Sequence, residues 1–263
     1  MTPDELQKVK AGFKAYARSF FNEADEKQQA LMDLKWKHTL FVAELAREIA
    51  ERSGWDNAES NRAEAAGILH DTGRFSQIRE FRTFHDKTTV DHGERGFEEA
   101  DEHGLCAHLD PELQAAMLAT IRYHNRRVLP QGLPDEHYKY LKVVRDADRL
   151  DIYRVVNHAL KSGDNSKHPE ITRGINQKKQ ASPAVVKAIK AGEQVDYDLV
   201  QTLTDRMLLQ LSWLNIMSHQ ASLEIFHERG YLNIMAEHLP DEPGLTEIVD
   251  DVRMLLQAAH QGS

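Results

Sequence analysis

Cysteine is almost absent from this chain of 263 residues: Cys106 is the only one. An intramolecular disulfide framework is therefore excluded, and a reducing compartment is the expectation. Cys106 stands between His103 and His108 in "EHGLCAHLDP". One thiol falls short of the usual zinc-site spacings, so a small buried residue is expected there. Long apolar runs are also missing. No stretch approaches the ~18 apolar residues of a membrane span, and "MTPDELQKVKAGF" carries no apolar signal core. No membrane partner and a cytoplasmic location are the corresponding expectations. Basic residues are in deficit, 33 Lys and Arg against 42 Asp and Glu, for a net charge of −9. That balance argues against extended nucleic acid as a partner. A small nucleotide stays open, because a few arginines and a metal overcome the average field locally.

Alternating strand patterns and internal repeats are lacking too. What is present is helical periodicity. "DELQKVKAGFKAYARSFFN" aligns Leu6, Phe13, Tyr16, Phe20 and Phe21 near one stripe. "WKHTLFVAELAREIAERSG" places Phe41, Val42, Leu45 and Ile49 on one face and ends at Gly54. Further helices are expected from Asn57 to about Asp71, Thr88 to His103, Pro111 to about Asn125, and through "HYKYLKVVRDADRLDIYRVVNHALKSG". Residues 162–182 read as a polar loop, an excursion or a domain boundary. Periodicity resumes in "SPAVVKAIKAG", "YDLVQTLTDRMLLQLSWLNI", "SHQASLEIFHERGYLNIMAEHL" and "TEIVDDVRMLLQAAH". The expectation is an all-α chain forming a single domain over 1–263, with the helices of 183–260 packed on the first bundle.

Certain polar residues fall on apolar faces. His38 shares the stripe of Phe41 and Val42, and His70 and Asp71 close the helix carrying Ala66, Gly67 and Leu69. His92 lines up with Gly96 and Ala100, His124 continues Leu113, Met117, Thr120 and Ile121, and Asp146 lies near Val143, Leu150 and Tyr153. A carboxylate facing a core is costly without a partner. Imidazoles and carboxylates together suit Fe, Mn, Zn, Co or Ni, and pure oxygen sites suit Mg or Ca; two divalent ions from the first group are the expectation, with Mg also open. Taken singly, His38 or His124 also reads as a core histidine bonded to backbone, and Asp146 beside Arg145 and Arg149 as a surface ion pair. The ordered set on five successive helices favours a divalent metal.

That order, with "ILHDTGRF" and "VRDADRLD", resembles the HD-domain superfamily of metal-dependent phosphohydrolases over about residues 35–157. The resemblance implies an HD-like helical bundle, to which the periodicity beyond residue 182 adds C-terminal helices. It implies His38, His70, Asp71 and Asp146 as the common ligands, and His92 ("DHGERG") and His124 ("IRYHN") as those of dinuclear members, with Asp71 bridging two ions. Asp148 competes with Asp146. They lie about 200° apart on a helix and cannot both face the site; the family pattern favours Asp146, leaving Asp148 and Asp151 as supporting candidates. "FHDK" at 85–86 lacks a preceding apolar run and reads as loop. The implied activity is cleavage of a phosphate mono- or diester, nucleotide-like or another small ester, by metal-activated water, with Asp71 and Arg74 as catalytic residues and Arg74 meeting the phosphate. Alternatives are a di-iron oxygenase of the same superfamily and a non-catalytic regulatory module. Residues 75–87 suggest a substrate lid, and oligomeric state stays open.

Overall fold

Helix starts in this protein follow its capping chemistry. The computed structural model describes residues 1–22, 24–162 and 180–261. Thr2 and Glu5 form a capping box at α1 (Pro3–Phe21), and Asp25 and Gln28 form another at α2 (Glu26–Arg52). Each satisfies backbone N–H groups that a helix start leaves without internal partners. Asp56 caps α3 (Asn57–Leu69), Asp91 caps α5 (His92–Glu102), and Asp110 followed by Pro111 opens α6 (Pro111–Tyr123). Between α3 and α5 lie α4 (Gly73–Phe81) and a 3₁₀ turn, Asp86–Thr88. The long α7 spans Asp135–Ser162. Beyond it come α8 (Pro183–Lys190), α9 (Leu203–Ser212), α10 (Gln220–Glu228), α11 (Tyr231–His238) and α12 (Pro243–Gln261). Among the described residues there is no strand, and the fold is all-α. No helix among them is long and apolar enough to cross a membrane.

The chain divides into two compact units, Met1–Asp151 and Ile152–Ser263. In the first, α2 packs along α3, α4 against α5, and α5 against α6. Phe75 of α4 is fully buried, its ring 5.7 Å from Phe13 and 6.4 Å from both Tyr16 and Phe20. This aromatic cluster fixes α4 beside α1. In the second unit, Tyr153 packs 4.6 Å from Phe226 and 5.9 Å from Trp213, and its hydroxyl donates to Gln210 O.

Four details depart from expectation. The helix α4 occupies a stretch with no capping signal: Thr72 Oγ1 donates to Leu69 O instead of accepting from α4. The fourth expected helix begins at His92 rather than Thr88, because Asp91 supplies the cap. Phe41 is 38% exposed while Val42, Leu45 and Ile49 are buried; it lies about 100° off their line. "SHQASLEIFHERGYLNIMAEHL" forms two helices, broken at Gly230, whose φ of 65° is left-handed. Most of the expected 162–182 loop falls on 163–179, outside the described residues. Cys106 is buried, and burial followed by nearby Asp101 pushes its thiol up to about 12.

Candidate metal centre

His70 and His124 each sit one residue past the end of a helix, at the C-caps of α3 and α6. The last carbonyls of a helix lack internal partners, and both rings use one. His70 Nδ1 donates to Gly67 O at 2.7 Å, and His124 Nδ1 donates to Ile121 O at 2.8 Å. A carbonyl only accepts, so each Nδ1 carries the proton and each Nε2 keeps its lone pair. The other two histidines are held by carboxylates. His38, inside α2, meets Asp151 Oδ2 through Nδ1 at 2.6 Å, and His92, first residue of α5, meets Asp86 Oδ2 through Nδ1 at 2.5 Å.

All four Nε2 atoms converge on Asp71. Its Oδ2 lies 3.4 Å from His38 Nε2 and 3.4 Å from His70 Nε2. Its Oδ1 lies 3.4 Å from His92 Nε2 and 3.6 Å from His124 Nε2. One carboxylate thus faces two histidine pairs, one pair per oxygen. His38, His70 and Asp71 form one cluster able to hold an ion, and Asp71, His92 and His124 form a second. Every member is buried.

The atoms fit a metal. Among the described residues His38 Nε2 and His70 Nε2 are buried without a hydrogen-bond partner, an expensive arrangement unless a cation meets them. His92 Nε2 and His124 Nε2 stand 3.0 Å apart. Two lone pairs facing at that distance repel. A cation held between them would relieve that repulsion. Burial and then Arg74 pull His92 down to about 3, and burial lowers His70, so both rings are neutral and ready to ligate. His38 differs: burial and Lys35 oppose its charge, but Asp148 and Asp151 more than restore it, and its pKa is raised. Burial also opposes the charge on Asp71. Lys35 and the flanking histidines overcome it and hold that carboxyl well below its usual range.

Among the aspartates of "DADRLD" the structure makes a correction. Asp148, not Asp146, turns to the cluster, with Oδ1 3.2 Å from His38 Nε2. Asp146 is fully buried with its carboxylate 3.4 Å from Arg149 Nη1. Asp151, one turn beyond Asp148 and on the same face of α7, supports His38 from behind. Arg74, expected to meet a phosphate, has Nη1 engaged by Gln77 Oε1, Phe84 O and Asp86 Oδ1 at 2.7–2.8 Å. Its Nε lies 3.5 Å from Asp71 Oδ1.

Two residues escaped the sequence reading. Asp86 belongs to the second His-Asp pair, dismissed for want of an apolar run. Lys35 places Nζ 2.5 Å from Asp71 Oδ2 and 5.5 Å from the Phe84 ring centre. Its position one helical turn before His38 was the available signal.

Residues 36–153 match the family model described as the HD domain. Comparisons with curated proteins and with solved structures each give no match.

Proposed function

Residues 36–153 are an HD domain, and from that premise we propose that the chain is a metal-dependent phosphohydrolase acting on a small phosphate mono- or diester, nucleotide-like or otherwise, through a two-ion centre. The observation that carries the reading is the division of Asp71: each carboxylate oxygen faces its own pair of histidine Nε2 atoms. His38, His70 and Asp148 would complete one half-site with Asp71 Oδ2, and His92 and His124 the other with Oδ1. Divalent ions held there supply a water acidified toward neutral pH and polarise phosphoryl oxygens.

The chain's own groups do the rest. Lys35 and the flanking histidines hold the Asp71 carboxyl well below its usual range, so it would meet the ions as a carboxylate. Backbone carbonyls and carboxylates pin every Nδ1, which prevents the imidazoles from turning their N–H toward the centre. Lys35 is part-exposed beside Asp71 and is a cation placed to meet an arriving phosphate. Arg74 Nη1 is engaged by Gln77, Phe84 and Asp86, so through that nitrogen it holds the 84–86 segment.

The test is anaerobic phosphate release from a panel of nucleotides and phosphate esters, with a chromogenic diester alongside, comparing manganese-loaded wild type with Asp71→Ala. Release by wild type that vanishes in the variant supports hydrolysis at this centre. No release, with oxygen uptake that depends on iron, turns the reading to the oxygenase. A protein that retains no metal under any reconstitution is a non-catalytic module.

A further inference from the structure

Of the four histidines, three are oriented by groups deep in the helical frame: Gly67 O, Ile121 O and the fully buried Asp151. His92 is the exception. Its partner Asp86 lies on the 3₁₀ turn Asp86–Thr88 between α4 and α5, and the Asp86 side chain is 30% exposed. That carboxylate is itself held from two sides. Oδ2 accepts from His92 Nδ1, while Oδ1 accepts from Arg74 Nη1 at 2.7 Å and from Gln77 Nε2 at 3.0 Å. The same two donors bind the surrounding segment. Arg74 Nη1 reaches Phe84 O at 2.8 Å, and Gln77 Nε2 reaches Thr89 Oγ1 at 2.8 Å and Val90 O at 3.2 Å. Gln77 is fully buried.

We propose that Asp86 is a positioning residue for one half of the centre: its carboxylate, held by Arg74 and Gln77, fixes His92 with the proton on Nδ1 and so keeps Nε2 open toward Asp71. The inference rests on the reading of the cluster as a metal centre. It gives Arg74 a role acting through Asp86 and His92 and assigns the 84–90 segment the support of a single half-site. His70 and His124 need no such support, because their own helices supply the acceptor.

A carboxylate offers acceptors on both sides; an amide offers one acceptor and one donor. In Asp86→Asn the oxygen must meet Arg74, a permanent cation, and Gln77 Nε2, both of which only donate on that side. The amide N–H₂ then faces His92 Nδ1. A donor there is satisfied only if the ring proton moves to Nε2, which removes the lone pair directed at Asp71. In Asp86→Ala water can meet Nδ1, beside Asn125 Nδ2, which stands 3.4 Å away and donates to Asp91 Oδ1, and both tautomers remain accessible. The isosteric variant is therefore the more damaging one, the reverse of the order that simple disruption of the loop would give.

The experiment uses the full chain, first metal-free, with histidine-tautomer assignment by long-range ¹H–¹⁵N correlation, then titrated with zinc by calorimetry. Expected are a His92 Nδ1–H signature in wild type and Nε2–H in Asp86→Asn. Affinity for one of two zinc ions should fall about 10- to 100-fold in Asp86→Asn, by less in Asp86→Ala, and the other ion should bind as in wild type. Circular dichroism checks that both variants are folded. An unchanged tautomer in Asp86→Asn overturns the proposal, as does Asp86→Ala binding zinc more weakly than Asp86→Asn. A switched tautomer with wild-type zinc affinity overturns the link from Asp86 to the ion. Wild type that takes up no zinc refutes the metal reading, and the coupling of Asp86 to His92 is then decided by the tautomer alone.

Discussion

Replacing Gly73 by alanine probes whether the two half-sites share one rigid frame. Gly73 opens α4 two residues after Asp71. A Cβ at this position would stand 2.3 Å from His92 O, 2.5 Å from Gly96 N and 3.0 Å from Gly96 Cα. All three are backbone atoms, so no rotamer change relieves the contact. Gly96 mirrors the constraint, since a Cβ on it would lie 2.9 Å from Gly73 N and 3.0 Å from Ile121 Cγ2. Two glycines thus let α4 and α5 touch backbone to backbone, and alanine forces them apart by about 1 Å to reach ordinary van der Waals separation. Overpacking typically costs 1–3 kcal/mol. With no flexible side-chain end to yield, the expected loss is about 3 kcal/mol.

The displaced helix begins with His92, and ligand constellations tolerate about 0.5 Å. Gly73→Ala should therefore weaken binding of one ion as well as the fold. Hydrogen exchange at the amides of α4 and α5, read against wild type in native buffer, reports the stability of that contact locally. Zinc titration of the same samples reports the site. Protection within 0.5 kcal/mol of wild type together with two ions bound at wild-type affinity would refute the argument, because the helices would then separate at no cost.

Three further outcomes follow from the same contacts. His92→Ala and His124→Ala should each lower bound metal by about one ion per chain with the helical spectrum intact, while Asp71→Ala should lose both; elemental analysis after dialysis counts them. Gly12→Ala should stabilise the chain by about 0.5–1 kcal/mol, because a Cβ within α1 would meet only Leu105 Cδ2, at 3.9 Å; the urea midpoint measures this. Asp205 is buried and accepts from the N–H groups of Ser182, Gln201 and Thr202 and from the Ser182 hydroxyl. Burial opposes its charge, but these donors prevail and its pKa is lowered. A lowered carboxylate contributes its full stability above the unfolded value of about 3.9 and loses it as pH falls through the folded value. Asp205→Ala should cost about 3 kcal/mol at neutral pH and flatten the acid limb of urea unfolding of the 152–263 unit. An unchanged slope between pH 5 and 2 would count against that account.

What was legible in the chain depended on the range of the interaction that placed each residue. The helices α1, α3, α6 and α7 stand where periodicity put them, since apolar spacing is local; α2 covers its expected stretch but starts earlier, at Glu26 behind the Asp25 cap. His70 and Asp71 were readable because adjacency at a helix end is itself the geometry, and the burial of His92, Gly96 and Ala100 follows from their shared line on α5. The aspartates of "DADRLD" were different. Spacing establishes that Asp146 and Asp148 point about 200° apart, but which faces His38 depends on the rotation of α7 about its own axis. That rotation is set by packing against residues far away in sequence, so the motif alone left the phase open. Asp86 lay further beyond reach. It is tied to Gln77 nine residues before it and to Arg74 twelve before it, across a turn with no periodicity. The absence of an apolar run marked its segment correctly as loop. It carried no information about function, because the task of Asp86 is to accept hydrogen bonds at a part-exposed position, where no hydrophobic signal arises.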